Sequence, residues 1–511
     1  MPPSISTRIV KNTLFLYFRT LLITGVSLYT VRVVLNTLGI QDYGIYSVVG
    51  GIVALCAFLP GSMASATQRF FSFALGENDQ GKLKRVFTVN LVIYAVIALI
   101  TLIVLESVGL WFVNEHLRVP PERFESAQRL YHISTLTFII SIFSSPFRAI
   151  ILAHEDMHIY AYVSVSDAIL KLAVVFLLAS LPWDKLELYG LLLLVLAVIN
   201  LVIYLAICLR KYEECRFHGL QWDKGLLHEI VGFTGWTLFG QLSTVARNQA
   251  VTVLLNQSFN PAVVAARAIA VNVATQVNSF AGNFNNSLYP PIIKSWAAGN
   301  TQQMYSLVIN GSKLTFFLMW IFTLPLLLEM DAVLHLWLRQ PPADAVLFTQ
   351  LSLVEALLMS VSLPLAAAAR APGRMKTYEL VLGSIQVGIF AVSWVVLKNG
   401  APAYSVFVVA IAANVLMFFV RLFIVCSLTG LRMTTFLRQV TPPLLGVVTL
   451  SGALSLAVSM LLPQGLVFSG LAVLLSLLIT AICIYFVGLD RKWREKIRNL
   501  IASRLHRQGA R

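Results

Sequence analysis

The chain has 511 residues, of which 58% are hydrophobic and only 12% charged, with a formal net charge of +15 and a mean hydropathy of +0.79. That composition excludes a soluble globular enzyme and describes an integral membrane protein. The positive balance suggests nucleic acid, but the distribution of Lys and Arg accounts for it without such a partner.

Apolar runs long enough to span a bilayer recur about fourteen times along the chain. They run from Asn12 to Leu38, Tyr46 to Leu75, Val86 to Leu105, Ala127 to Leu152, Tyr160 to Leu181, Leu188 to Leu209, Leu226 to Leu255 and Pro261 to Trp296. Six more follow: Met304 to Leu328, Val346 to Ala369, Tyr378 to Leu397, Ala403 to Leu428, Phe436 to Leu462 and Leu466 to Leu489. The long second and eighth runs invite a bend or a break. The first run is too long for a cleaved signal peptide. The cysteines Cys56, Cys208, Cys215, Cys426 and Cys483 have no metal-ligand spacing, lie mostly in spans and say nothing about disulfides or metal; no metal and no cofactor is expected.

Loop charge orients these spans. Lys82, Lys84, Arg85, Arg210, Lys211, Arg216, Lys224, Arg370, Arg374, Lys376, Arg432 and Arg438 fall on one side with the basic tail, against Arg118, Arg123, Lys185, Arg339 and Lys398 on the other. The positive-inside rule makes the first side cytoplasmic, puts both termini there and requires an even number of spans in the plasma (inner) membrane.

A weak internal repeat relates the halves. AHEDMHIYAY precedes the fifth-span core as APGRMKTYEL precedes the eleventh, placing Met157 with Tyr160 against Met375 with Tyr378, an offset of 218; ALGENDQ and AAGNTQQ place Gly76 against Gly299, an offset of 223. An offset of six spans between like-oriented segments implies two parallel six-helix lobes with a substrate site between them. The expected fold is therefore all-α, with an N-terminal lobe at 1–211, a C-terminal lobe at 224–430, and an accessory, lipid-facing helix pair at 436–489. Residues 490–511 form a basic tail, read either as an amphipathic helix on the anionic inner leaflet or as an ordinary solvated segment.

The cations inside the spans carry the functional signal: Arg19, Arg32, Arg69, Arg129, Arg148, Lys171, Arg247, Arg267, Lys313 and Arg421. A cation near the bilayer centre costs at least about 2.5 kcal/mol, so several must face a wet cavity or a partner. Arg129, Arg148 and Arg421 lie where a long side chain snorkels to the interface. Asp167 and Lys171 are spaced i, i+4 for an internal pair. Lys313 and Glu355, at comparable depth, form either a structural pair or part of an ion relay.

Polar stripes accompany the cations. Thr234, Thr237, Gln241, Thr244, Asn248 and Thr252 share one face of the seventh span, and Asn272, Gln276, Ser279, Asn283 and Asn286 one face of the eighth. The first two spans carry Arg19, Thr20, Thr24 and Ser27, then Ser62, Ser65, Arg69 and Ser72. The substrate-binding set expected from these patterns is Arg19, Arg32, Arg69, Arg247, Arg267, Lys313, Gln241, Asn248, Asn272 and Gln276, with Asp167 and Glu355 as candidates for ion coupling.

With RVVLNTLGIQDYGIYSVV (Arg32 to Val49) and ATQRFFSFALG (Ala66 to Gly76), the chain resembles the polysaccharide-repeat flippases of the multidrug, oligosaccharidyl-lipid and polysaccharide exporter superfamily. The resemblance implies a flippase for O-antigen or exopolysaccharide synthesis that moves undecaprenyl-pyrophosphate-linked oligosaccharide to the outer leaflet. It also implies membrane lipids and a glycan polymerase as partners. A peptidoglycan-precursor flippase shares the architecture and stays open. A cation or drug antiporter would want membrane acids, and the first span has none. A glycan polymerase or ligase would want a large catalytic loop, whereas Glu106 to Ser126 is short; the chain is read as a non-enzyme. GENDQGKL (Gly76 to Leu83) imitates a phosphate-binding loop until Leu83 replaces the Ser or Thr that a nucleotide site needs.

Overall fold

The computed structural model describes residues 5–54, 56–116, 120–216, 221–259, 261–338, 340–463, 465–491 and 494–495. Fifteen α-helices follow one another, with no strand among the described residues: α1 (Ile5–Ala54), α2 (Phe58–Glu77), α3 (Gln80–Val104), α4 (Leu110–His116), α5 (Phe124–Ala153), α6 (Met157–Ser180), α7 (Lys185–Lys211), α8 (Lys224–Ser258), α9 (Pro261–Ala297), α10 (Thr301–Leu338), α11 (Ala345–Arg370), α12 (Lys376–Lys398), α13 (Ser405–Thr429), α14 (Met433–Leu461) and α15 (Leu466–Cys483).

Local chemistry sets the breaks. Gly39, at φ 80°, divides α1 into two arms, because this left-handed backbone is open to glycine at little cost. The second arm and α2 are long and apolar enough to cross a membrane only as a pair, and they meet at a bend of 47°, within the second apolar run. Asp79, Asp184 and Asp223 accept main-chain N–H groups from the first turns of α3, α7 and α8, satisfying donors that a helix start leaves open. Ten helical spans among the described residues, with that bent pair as an eleventh, are long and apolar enough to cross a membrane. The first arm of α1, α8 and α9 complete fourteen rods, and α8 and α9 are where Thr, Asn, Gln and Arg interrupt the apolar pattern.

The repeat is plainer in the backbone than in the residues. Helices that begin at Gln80, Phe124, Met157 and Lys185 recur at Thr301, Ala345, Lys376 and Ser405, offsets of 221, 221, 219 and 220. Left-handed residues recur too: Asn78 with Gly299, 221 apart, and Glu155 with Gly373, 218 apart. The sequence pairing of Gly76 with Gly299 is thus off by two, since Asn78 occupies the turn. Gly76 lies inside α2, where a Cβ would meet the Lys294 carbonyl oxygen at 2.7 Å.

Compactness divides the chain differently from the repeat. One unit comprises Met1–Leu242, Tyr289–Asn300 and Gly373–Glu379; the other comprises Ser243–Leu288, Thr301–Pro372 and Leu380–Arg511. In the first, α1, α5, α6 and α7 pack around Val34, Val49, Leu130, Tyr131, Val175, Leu178 and Leu186, all buried. In the second, the accessory α14 and α15 join α10 rather than standing apart, and their polar groups face it. Trp320 donates to Ser451 at 2.9 Å, Ser459 to Glu329 at 2.7 Å, and Lys313 to Asp490 at 2.9 Å. In lipid, where no hydrophobic drive separates helices from hydrocarbon, such bonds and close packing hold helices together.

Candidate functional site

Each unit contains a cavity walled by its own helices and lined with more cations than carboxylates. In the first unit α1, α5, α6 and α7 enclose about 670 Å³, with Arg19, Arg148 and Lys171 on the wall and Asp167 as the one carboxylate. Lys171 Nζ lies 2.8 Å from Asp167 Oδ2, the expected i, i+4 pair, and Asn200 Nδ2 donates to Asp167 Oδ1 at 2.5 Å. The Arg19 guanidinium lies 4.8 Å from the centre of the Tyr160 ring, a cation–π contact.

In the second unit the corresponding helices α8, α11, α12 and α13, with α9, enclose about 250 Å³ lined by Arg247, Asn248, Arg267, Glu355 and Gln386. Arg247 Nη1 lies 3.2 Å from Glu355 Oε1, and Arg247 Nη2 donates to Asn248 at 2.9 Å. Asn414 donates to the same carboxylate oxygen at 3.0 Å. Arg267 donates to the neutral hydroxyl of Thr252. Asp167 and Gln386 are 219 residues apart, the helix offset, so a carboxylate in one unit is an amide at the matching place in the other.

The structure therefore brings together Arg19 with Asp167, and Arg247, Arg267, Asn248 and Glu355. It places the remaining predicted residues elsewhere. Arg69 is 3% exposed inside the first unit. It is paired with Glu229 at 3.3 Å and set against the rings of Phe70, Phe73 and Phe233 at 4.5, 4.9 and 5.5 Å. Lys313 is buried and bonded to Asp490, so the Lys313–Glu355 pair is not formed; Glu355 takes Arg247 instead. Gln241, Asn272 and Gln276 are exposed and off both cavity walls. The side chain of Arg32 lies outside the described residues, as do 496–511 of the tail.

Arg148, Lys171, Tyr160, Asn200 and Gln386 were missed as cavity residues. Arg148 is close enough to a helix end to suggest snorkelling, and Lys171 has a partner one turn away. Asn200, a lone amide within the run LVLAVINLVIYL, was the available signal. Among the described residues no group of three or more His, Cys, Asp or Glu side chains is placed to hold a metal ion.

Fourteen rods, helices that recur about 220 residues apart, and one charged cavity per unit define a multi-span membrane architecture. Comparison places it more narrowly. The MatE family model matches residues 16–177, about the first five spans. The structure is similar to a proline-to-alanine variant of a MATE protein, with a TM-score of 0.73 at 13% identity over 84% of this chain and 98% of that one. It is also similar to an outward-facing multidrug resistance MATE family transporter of the MOP superfamily, with a TM-score of 0.70 at 15% identity over 85% and 97%. A third similar structure is a MOP superfamily transporter from Pyrococcus furiosus, described as having a binding pocket of reverse polarity that suggests a different function; its TM-score is 0.66 at 14% identity over 83% and 97%. A search of curated proteins finds no match. The chain is a multi-span membrane protein with the MATE fold.

Proposed function

We propose that this protein is a transporter that turns a polyprenyl-pyrophosphate-linked oligosaccharide from the inner to the outer leaflet of the plasma membrane, by alternating access. The observation that carries the reading is the pair Arg247 and Arg267 in one membrane-embedded cavity with a single carboxylate, Glu355. Two guanidiniums offer planar forks suited to phosphate oxygens, and a low dielectric strengthens each contact. Glu355 already receives Arg247 and Asn414. Arg267, which among the described residues donates to a hydroxyl and pairs with no carboxylate, is the cation best placed to accept an anion. The Pyrococcus protein, whose described pocket polarity goes with a different function, supports letting the sign of the pocket decide among uses of one fold. A glycan polymerase of the same pathway is the proposed downstream partner.

A second reading, export of cations or drugs, has the MatE match and the multidrug transporter of the same fold in its favour. Against it, both cavity carboxylates are engaged by cations of this chain, Asp167 by Lys171 and Glu355 by Arg247. An antiporter needs a carboxylate free to exchange its proton for a cargo cation.

The test measures appearance of lipid-linked sugar in the outer leaflet, at matched protein levels, in cells carrying Arg247→Lys, Arg247→Ala, Arg267→Lys or Arg267→Ala. A charge-assisted hydrogen bond contributes roughly 1.5–3 kcal/mol, so losing one should weaken binding about tenfold to a hundredfold. Lys should restore part of it, keeping charge but not the fork. Normal translocation in an Arg247→Ala, Arg267→Ala double variant would remove this cavity as the anion site. Rescue of a strain lacking its peptidoglycan-precursor flippase would redirect the reading to that substrate.

A further inference from the structure

The cavity walled by α1, α5, α6 and α7 carries positive charge that the reading above does not use. Arg19, Arg148 and Lys171 line its volume of about 670 Å³ with Asp167 as the one carboxylate, which leaves an excess of two positive charges. Both oxygens of that carboxylate are already held, one by Lys171 at 2.8 Å and one by Asn200 at 2.5 Å. Among the described residues, Arg19 and Arg148 therefore have no carboxylate partner.

The two guanidiniums converge on one place. Arg19 lies 4.8 Å from the centre of the Tyr160 ring, and the charges of Arg19 and Arg148 both act on the Tyr160 hydroxyl. Tyr204, on the same wall, lies in the field of Arg148 as well. Arg19 Nε is buried with no hydrogen-bond partner among the described residues, and this N–H is half of the edge with which a guanidinium grips two oxygens of one oxyanion. Drawing two like charges together and removing them from water are both unfavourable, and neutral phenols offset neither. An anion held between the guanidiniums offsets both.

Charge and room together set the class of ligand. A singly charged ion would leave half of the excess in place, whereas a dianion cancels it. The volume falls within the roughly 300–1,000 Å³ of small-molecule sites, so a small organic acid fits as well as an inorganic ion. Neutral hydroxyls complete the wall, those of Ser27, Tyr46, Tyr160 and Tyr204 among them, and a hydroxyl can donate to an oxyanion. We infer that this cavity is a binding site for a small, soluble, doubly charged oxyanion, such as a sulfate, a phosphate ester or a dicarboxylate, gripped by Arg19 and Arg148. Every residue of the site belongs to the first unit, and no part of a lipid-linked substrate is needed to fill it.

The test uses the full chain in nanodiscs of phosphatidylcholine, with Arg247→Ala and Arg267→Ala in place so that the second cavity contributes no arginine. Calorimetry compares sulfate and succinate, which are doubly charged at neutral pH, with acetate, which is not. Sulfate or succinate should bind about tenfold or more tighter than acetate, the gain of one further charge-assisted hydrogen bond. Arg19→Gln or Arg148→Gln should remove that preference. Arg19→Lys and Arg148→Lys keep the charge without the fork and should restore part of it, and they decide the matter if a Gln form does not fold. Equal binding of the three anions, or binding of none, overturns the inference. So does a preference for dianions that survives Arg19→Gln and Arg148→Gln. Loss of sulfate binding when phosphatidylglycerol replaces part of the lipid would assign the arginines to a lipid headgroup and overturn the soluble ligand. No probe carries a sugar or a polyprenyl chain, so each of these outcomes leaves the flippase reading where it stood.

Discussion

Lys313 has the sequence signature of a transport residue and the surroundings of a structural one, and the two roles make opposite predictions. Its side chain is 8% exposed and lies 2.9 Å from Asp490, which is 58% exposed and follows the last helix. Breaking a fully buried pair costs about 3–5 kcal/mol, and an exposed pair contributes about 0–1 kcal/mol. With one partner enclosed and the other open to solvent, Asp490→Asn should destabilise the protein by about 1–2 kcal/mol, because it strands an enclosed ammonium. Lys313→Met keeps the length of the side chain without its charge and should cost less. The double variant should resemble Lys313→Met alone, giving a coupling of about 1–2 kcal/mol in a double-mutant cycle. Thermal unfolding in detergent micelles measures all four forms. Additive effects would refute the pairing of Lys313 with Asp490. So would a Lys313→Met protein of normal stability and abundance that no longer translocates substrate; that result would return Lys313 to the substrate pathway.

Gly76→Ala should destabilise the first unit by about 1–3 kcal/mol, since the new methyl would lie 2.7 Å from the Lys294 carbonyl oxygen and 2.9 Å from its Cα, main-chain atoms that cannot swing away; unfolding in detergent reads it, and no change would show that α2 and the end of α9 separate freely. Arg69→Leu should lower stability, with Arg69→Lys intermediate, because three aromatic faces and Glu229 surround the guanidinium; a stable Arg69→Leu protein with lost substrate affinity would overturn that assignment. Burial, the largest influence, opposes ionisation of Glu214, yet the hydrogen bond with His154 at 2.6 Å, a main-chain hydrogen bond and the attraction of His154 together outweigh it and hold the carboxyl below its ordinary value. A depressed folded value means stability that is present above the ordinary glutamate value of about 4.3 and is lost as pH falls through the lower folded value. Glu214→Gln should therefore flatten the fall in melting temperature as pH drops below about 4.3, and an unchanged profile would assign that fall to other groups.

The span positions were legible because a bilayer allows backbone polar groups no partners but their own helix, so length and apolarity mark each crossing. The Asp167–Lys171 pair was legible for a similar reason: it is fixed by helical spacing alone. Arg247 with Glu355, 108 residues apart, and Lys313 with Asp490, 177 apart, are set by which helices meet, and no local pattern encodes that. Arg69 shows the limit of polar stripes. With Ser62, Ser65 and Ser72 it forms the same kind of face as Arg19 with Thr20 and Ser27, but one face meets Phe70, Phe73 and Phe233 while the other lines a cavity. Periodicity identifies a face that avoids lipid; it is silent on whether protein or water covers that face.

The repeat also explains why sequence similarity between the halves is faint where the chemistry is densest. Helix starts keep their offsets within two residues, because packing constrains them, while the cavity walls have diverged. The acid is Asp167 on α6 in one unit and Glu355 on α11 in the other, with Gln386 at the place matching Asp167. The cations moved as well, from α1, α5 and α6 to α8 and α9. Two cavities of one ancestry that served the same chemical group would have had reason to keep the same residues. Their divergence in volume, in acid position and in cation position shows that the two cavities do not present the same chemistry. Grafting Gln in place of Asp167 should therefore not convert one cavity into the other. Asp167→Gln takes from Lys171 the carboxylate that neutralises it, so it should raise the affinity of the first-unit cavity for a small anion and leave Arg267 in the second unit untouched. Calorimetry with inorganic pyrophosphate on the Asp167→Gln and Arg267→Ala proteins separates the two. Unchanged anion affinity in Asp167→Gln would show that the charge of Lys171 does not reach the cavity.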